Sequence, residues 1–453
     1  MQRFVSRLPA LISLLASLSW LSASACGETR SRYGGRLTVE IHDAITFTDP
    51  SAWEPQLVAL VYDSLVKLDE RGEPHPALAI SWQHDADNKR WEFRLRPGVK
   101  FHDGSALNAA AVAACLKGWN ITAAGDDVFV VQTETATTDL PSRLAGAGNA
   151  ILRRGADGVT TGSGPFRIAE WQPGRRALFT ANDDYWSGRP YLDEIELQMG
   201  RSPRDQAIDL ELGKADLVEL TPDDARRATQ RGARTWVSAP AELLALVFER
   251  GHNAVDDPRL RQAVALSIDR AAIHNVLLLR QGESTGALLP AWLTGYAFLF
   301  PAARDLERAR QKAAFLPKSG MRITFAYDAA DPLSRPISER IALNAREAGV
   351  IVQVAPGRPA DVRLARVPLR SLDPEQALAA YAAAFGMAPF RAPLGPSPQA
   401  SLESEQKLLE DGRVVPLFHV RQIVGLGPRV RNWNPEPWGD WRLDGVWLDV
   451  RRP

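Results

Sequence analysis

Cysteine is nearly absent: the 453-residue chain has two, Cys26 and Cys115. One pair cannot staple a chain of this length, so apolar cores must hold the fold. Charge of one sign is missing too. Lys and Arg total 54, Asp and Glu total 54, and the formal net charge is zero. A nucleic-acid partner calls for a basic surplus, and the composition offers none. The seven histidines are scattered without a His-x-x-x-His pair, and nothing resembles a zinc set. No Gly-x-Ser-x-Gly elbow occurs. Gly162-Ser163-Gly164-Pro165 runs into a predicted strand, not a helix, and lacks the Lys-Ser/Thr of a phosphate loop. His102 and Asp103 are turn neighbours whose side chains point apart. The sequence therefore implies no catalytic residue, no metal and no cofactor.

Long apolar runs are lacking beyond the first 25 residues. There, Arg3 and Arg7 precede an apolar stretch, residues 11–21, too short to span a bilayer comfortably. Ala23-Ser24-Ala25 then supplies the small residues a signal peptidase accepts, and Cys26 follows. Residues 1–25 are read as a signal peptide and 26–35 as a tether. Ala-Ser-Ala-Cys is similar to a lipobox, with Ala23 where Leu is more usual. Cys26 is the candidate lipidation site, and an ordinary cleaved signal is the alternative. Either way the mature chain is expected outside the cytoplasm, on the periplasmic or cell-surface side of the membrane. Its 45% hydrophobic and 24% charged residues suit an ordinary globular protein of two or three domains.

The most legible stretch is 61–119. Trp91, Phe93 and Leu95 alternate with Glu92, Arg94 and Arg96, predicting a strand with one wet face, paired with 79–84 across the Asp85-Ala86-Asp87-Asn88 turn. Asn108 stands at an N-cap position before Val112, Cys115, Leu116 and Trp119 at helical spacing. Cys115 falls on the apolar face of that helix. Tyr62-Asp63-Ser64-Leu65-Val66, Leu78-Ala79, Trp91-Glu92-Phe93 and Pro97-Gly98-Val99-Lys100-Phe101-His102-Asp103-Gly104 follow in order. So do Gly162-Ser163-Gly164-Pro165-Phe166, Asp184-Tyr185-Trp186 and the segment from Asp256-Asp257-Pro258-Arg259 to Ser267-Ile268-Asp269-Arg270. This ordered series resembles the extracytoplasmic solute-binding proteins of family 5, which serve peptide and nickel ABC importers.

The resemblance implies an α/β, two-lobed periplasmic-binding-protein-like fold with mixed sheets, hinge crossovers and a reduced accessory subdomain. The expected division is 36–240 for the first lobe, with the accessory subdomain at about 66–160. Residues 241–420 form the second lobe, and 421–453 return to the first. Residues 120–160, rich in Ala, Gly, Thr and Asp, read as a shortened accessory segment whose outer part is loosely ordered. The apolar run 243–248 reads as a strand buried on both faces, with the crossing into the second lobe just before it.

For function, the resemblance implies capture of a peptide or related small solute by lobe closure. Delivery is to an ABC permease in the inner membrane, by a monomer with no nucleic-acid partner and no membrane contact beyond a lipid anchor. Trp53 and Glu54 lie in the first strand-to-helix connection, which lines the ligand cleft in that family. Trp53 is either a ligand contact or an anchor of its loop to the core. In peptide-binding relatives, the strand matching 361–367 leads to an aspartate that pairs with the ligand's α-amino group. Here Arg370 occupies that position and Val367 that of the usual tryptophan. A guanidinium repels an ammonium group and suits a carboxylate, so an anionic solute is expected if Arg370 faces the cleft. Trp53, Glu54, Arg366 and Arg370 are the candidate ligand-binding residues. A non-importing sensor or partner-binding surface lipoprotein of the same fold, and a secreted hydrolase acting through Ser163 or His102, are the alternatives.

Overall fold

The computed structural model describes residues 32–46, 53, 55–69, 72–116, 118–154, 160–251, 253–316, 322–357, 359–387, 397–439 and 441–449. Cys26 and Glu54 lie outside them. Most described strands belong to one sheet that runs through both lobes. Its first-lobe part opens with the antiparallel hairpin Phe166–Gln172 and Arg176–Ala181. Glu194–Gln198 is next, paired in parallel with Arg36–Glu40, which in turn runs parallel to Leu217–Glu219. The second-lobe part holds Val362–Pro368, Arg322–Tyr327 and Ile351–Pro356, the last two parallel to each other.

Two long strands join the halves. Arg234–Phe248 and Val414–Leu426 are antiparallel partners. At one end Val414–Leu426 pairs with Leu217–Glu219 of the first lobe; in the other half Arg234–Phe248 pairs with Val362–Pro368 of the second. Between these ends their register slips twice, at Val237/Pro240 and Pro240/Glu242. Such irregularities bend a strand and sharpen its twist. Pro240 has no N–H to give a ladder. Side chains satisfy the backbone there instead: Trp292 Nε1 donates to the Pro240 carbonyl at 3.1 Å, Arg421 donates to the Ser238 carbonyl at 2.7 Å, and the Gln422 N–H donates to Ser238 Oγ at 2.9 Å. The kink between the lobes is thus built from hydrogen-bonded but non-ladder groups.

Packing follows the alternation of side chains on these strands. Leu244, Leu246 and Phe248 enter one second-lobe core with Ile337 and Ile341 of helix Ser334–Glu347. Leu243, Ala245 and Val247 enter another with Leu378 and Tyr381 of helix Pro374–Ala384. The run 243–248 is buried on both faces, as its unbroken apolar sequence predicts. Helix starts are capped by side chains, Asn108 at the position its sequence predicts. Asn108, Ser202, Thr221, Asp257, Asp373 and Ser397 each accept a hydrogen bond from the first turn of the following helix.

The accessory subdomain is a four-stranded antiparallel sheet in the order Ala79–His84, Arg90–Leu95, Val128–Gln132, Asn120–Ala123. Trp91, Phe93 and Leu95 are buried and Arg90 and Arg94 exposed. Phe93 stacks on Phe129 with ring centroids 5.2 Å apart. Residues 120–132 therefore differ from the expectation of a patternless outer segment: the short run Val128-Phe129-Val130-Val131 supplies a strand paired on both sides. Among residues 155–159 nothing is described.

Candidate functional site between the lobes

Several of the residues that carry the family resemblance hold the first lobe together. Asp63 is buried, and its carboxylate accepts from Ser163 Oγ at 3.1 Å, Tyr185 OH at 3.1 Å and Trp186 Nε1 at 2.8 Å. Burial pushes its pKa up, against the opposing charge of Lys67 and these three donors. Gly162 and Gly164 pass so close to Val61 that an added Cβ would meet backbone atoms at 2.0 and 2.5 Å. Only glycine fits such a backbone approach. His102 closes the knot: its N–H donates to the Gly162 carbonyl, and its Nε2 lies 3.0 Å from the Gly164 carbonyl. Burial lowers the His102 pKa to about 4, despite that bond. Ser163 is thus engaged with Asp63, not with His102, and the two do not form a nucleophile–base pair.

The site itself lies at the mouth of the kink. A cavity of about 710 Å³ is lined by His42 and Asp43, just past the end of strand Arg36–Glu40, and by Glu219 at the end of the neighbouring parallel strand. From the second-lobe side come Glu242, Asp328, Asp331 and Arg366. Strand ends at a point where sheet order reverses are where α/β sheets offer their side chains to a ligand.

These groups form a charged network. His42 Nδ1 lies 2.7 Å from a Glu219 oxygen that also accepts the His42 backbone N–H at 2.8 Å, and Nε2 lies 3.2 Å from Asp43. Burial disfavours the imidazolium, but the Glu219 hydrogen bond and the Glu219 and Asp43 charges outweigh it and push the pKa up to about 9. Arg366 reaches Glu242 at 3.4 Å and Asp331 at 3.3 Å. Loss of water counts against its charge, and the Asp331 and Glu242 carboxylates more than offset it, raising its pKa. Burial raises the pKa of Glu242 and of Asp43, with Arg366 and His42 as the opposing charges. Five carboxylates line the cavity against His42, Arg363 and Arg366, and Arg363 is held at 2.8 Å by Glu249. Negative charge is in excess.

Residues 73–388 match the family described as "Bacterial extracellular solute-binding proteins, family 5 Middle". The chain belongs to this family. It is 25% identical over 346 residues to a nickel-binding periplasmic protein of Escherichia coli K12, covering 65% of this chain and 66% of that one. It is 22% identical over 391 residues to the probable D,D-dipeptide-binding periplasmic protein DdpA of the same organism, covering 78% and 75%. The chain spans about two thirds to three quarters of the length of these relatives. Its fold matches that of the oligopeptide-binding protein AppA of Bacillus subtilis, solved with a nonapeptide. The TM-score is 0.80 at 18% identity, over 93% of this chain and all of that one. The family members named here are binding proteins.

Within this family fold, the four candidate ligand residues separate. Trp53 is 2% exposed and stacks on Trp171 with ring centroids 4.9 Å apart, inside the first-lobe core. It lines neither interlobe cavity, and its packing holds its loop against the core. Glu54 lies outside the described residues. Arg366 faces the large cavity. Arg370 instead lines a smaller cavity of about 180 Å³, with Asp63, Tyr185, Glu436, Trp438 and Asp444 among its walls. The two arginines, four residues apart, serve different spaces. Sequence reasoning missed His42, Glu219, Glu242 and Asp331. The signal available was a charged residue at the end of an otherwise apolar strand, as in Val39-Glu40-Ile41-His42-Asp43 and Leu217-Val218-Glu219.

Among the described residues no helix is long and apolar enough to cross a membrane, and no cluster of three or more His, Cys, Asp or Glu is arranged to hold a metal ion.

Proposed function

We propose that this chain captures a small solute carrying a cationic group and delivers it to an ABC permease as the substrate-binding component of an importer. The observation that carries the reading is the acidic cavity at the kinked junction of two lobes. A cation entering it offsets the surplus carboxylate charge at the moment closure removes water, when the attraction is strongest. Dipeptides and oligopeptides present such a group at their amino terminus, as do polyamines and basic amino acids. The anionic solute expected from Arg370 suits this cavity poorly, because its arginines are Arg363, held by Glu249, and Arg366, which already faces Glu242 and Asp331.

Support for peptide or metal-complex uptake comes from the relatives, whose names specify nickel and D,D-dipeptide. Export and anchoring through Cys26 complete the proposal, with the protein acting as a monomer. Calorimetric titration tests the ligand class with an uncapped dipeptide, its N-acetylated form and putrescine. The uncapped amine and the diamine bind, the acetylated form binds at least tenfold more weakly, and Glu242→Gln weakens the first two. Preferred binding of the acetylated, anionic form would overturn the charge argument. Cys26→Ser should move the protein from the membrane fraction to the soluble extracytoplasmic fraction.

A further inference from the structure

Five charged residues of the acidic cavity, His42, Glu219, Glu242, Asp331 and Arg366, also line a second space of about 80 Å³ beside it. Away from them its walls are mostly apolar. Leu220 and Pro222 come from the first lobe, Leu278 and Leu333 from the second, and Val420 and Ile423 from strand Val414–Leu426, which joins the two. Thr221 and Arg421 also reach it, but Thr221 caps its helix and Arg421 donates to the Ser238 carbonyl at 2.7 Å. A cation held by Glu242 or Asp331 therefore stands at the edge of an apolar recess assembled from both halves of the molecule.

One wall of the recess has an unusual backbone. Leu279 and Arg280 have φ of 48° and 63°, the left-handed region that side chains rarely enter. Two such residues in succession cost backbone energy, so their surroundings must fix them. The Arg280 N–H donates to the His274 carbonyl at 2.9 Å, and the Gln281 N–H to the Leu278 carbonyl at 2.8 Å. Gly282 then passes so close to strand Val414–Leu426 that an added Cβ would meet the His419 carbonyl oxygen at 2.4 Å. This turn places Leu278 and Gln281, on either side of the strained pair, in the wall of the recess. Strain of this kind collects where a ligand is held.

We propose, given that the acidic cavity holds the solute's cation, that the recess is a side-chain pocket selecting cations that carry a compact aliphatic group. Volume sets the size of that group. An apolar cavity of about 150 Å³ admits benzene, so the recess suits about three or four carbons and excludes an indole. Because its walls come from both lobes, the group is enclosed only when the lobes are together, and its burial contributes to closure. A basic side chain gains less, since a second charge would have to leave water against apolar walls.

Calorimetric titration of the full chain with glycylglycine, alanylglycine, valylglycine and tryptophylglycine tests this, with putrescine as a cation that lacks a side chain. Affinity should rise about fourfold for each carbon the recess takes in, at least about tenfold from glycylglycine to valylglycine, and fall again for tryptophylglycine. Leu333→Phe fills the recess and should bring the valyl-to-glycyl ratio close to one. Leu333→Ala widens it and should move the optimum to a larger side chain. Both variants should keep wild-type circular dichroism. Equal binding of glycylglycine and valylglycine by the wild type overturns the proposal, and so does a ratio that neither variant shifts. If the dipeptides and putrescine all bind without a side-chain preference, the pocket falls and the acidic site stands. If none of them binds, the acidic site falls and the pocket with it.

Discussion

Removing the His42 imidazole should make the stability of the first lobe lose its alkaline dependence. In the folded protein the pKa is about 9, against the ordinary 6.5, and the side chain is 24% exposed. That difference corresponds to about 3 kcal/mol, at 1.36 kcal/mol per pKa unit. Because the folded value is the higher one, the contribution is complete below pH 6.5. It declines through the window between 6.5 and 9 and is gone above it. His42→Gln keeps a hydrogen-bond donor for Glu219 and removes the charge. Urea denaturation of both proteins, followed by fluorescence, should show a gap of about 3 kcal/mol at pH 6, shrinking to a few tenths at pH 10. A gap that is the same at both pH values would refute the reasoning, since a lost packing contact does not titrate. A gap that grows with pH would mean that the imidazole is held neutral and that Glu219 and Asp43 do not charge it.

Three further substitutions probe the fold that carries the site. Gly162→Ala should cost at least about 3 kcal/mol, or prevent folding, because a Cβ would sit 2.0 Å from the Val61 carbonyl oxygen; thermal unfolding reads the loss. Trp53→Ala should cost about 3–5 kcal/mol, the range for emptying a buried aromatic site, and leave the affinity of the folded protein for its solute unchanged by calorimetry. Arg429→Met strips the two 2.6 Å bonds from Asp216, which is 2% exposed. It should lower stability by about 2 kcal/mol, less than a fully enclosed pair because Arg429 is partly solvated, and a denaturant midpoint measures it.

The fold was readable because its signals are local. The Asn108 cap, the Trp91-Phe93-Leu95 alternation and the apolar run 243–248 each act within one element, and the structure has all of them. The family motifs were readable for the same reason: Gly162, Gly164 and Asp63 are fixed by close packing whatever the solute. The long strands were only half legible. Ser238-Ala239-Pro240 interrupts the apolar pattern of Arg234–Phe248, and Arg421-Gln422 that of Val414–Leu426, so the polar kink reads as a strand end. The cavity was the least legible part. Its lining comes from segments near residues 42, 219, 242, 331 and 366, and only the sheet order brings them to one place. A period-2 pattern says which way a side chain points, but not which distant carboxylate it meets.

The kinked ribbon has a consequence for how the two halves move. Because the same pair of strands is zipped at both ends and its two slips between the lobes fall at Ser238 to Ala241, with a third shift at Leu244/Ala245 inside the second-lobe ladder, swinging one half against the other need not unzip either ladder. The bonds at risk are the few tethers from Trp292, Arg421 and Gln422. Amide exchange at Gln422 should accordingly report the swing while Leu244 and Val424 on either side stay protected, and mutating Trp292 would alter the stiffness of the joint without touching the grip.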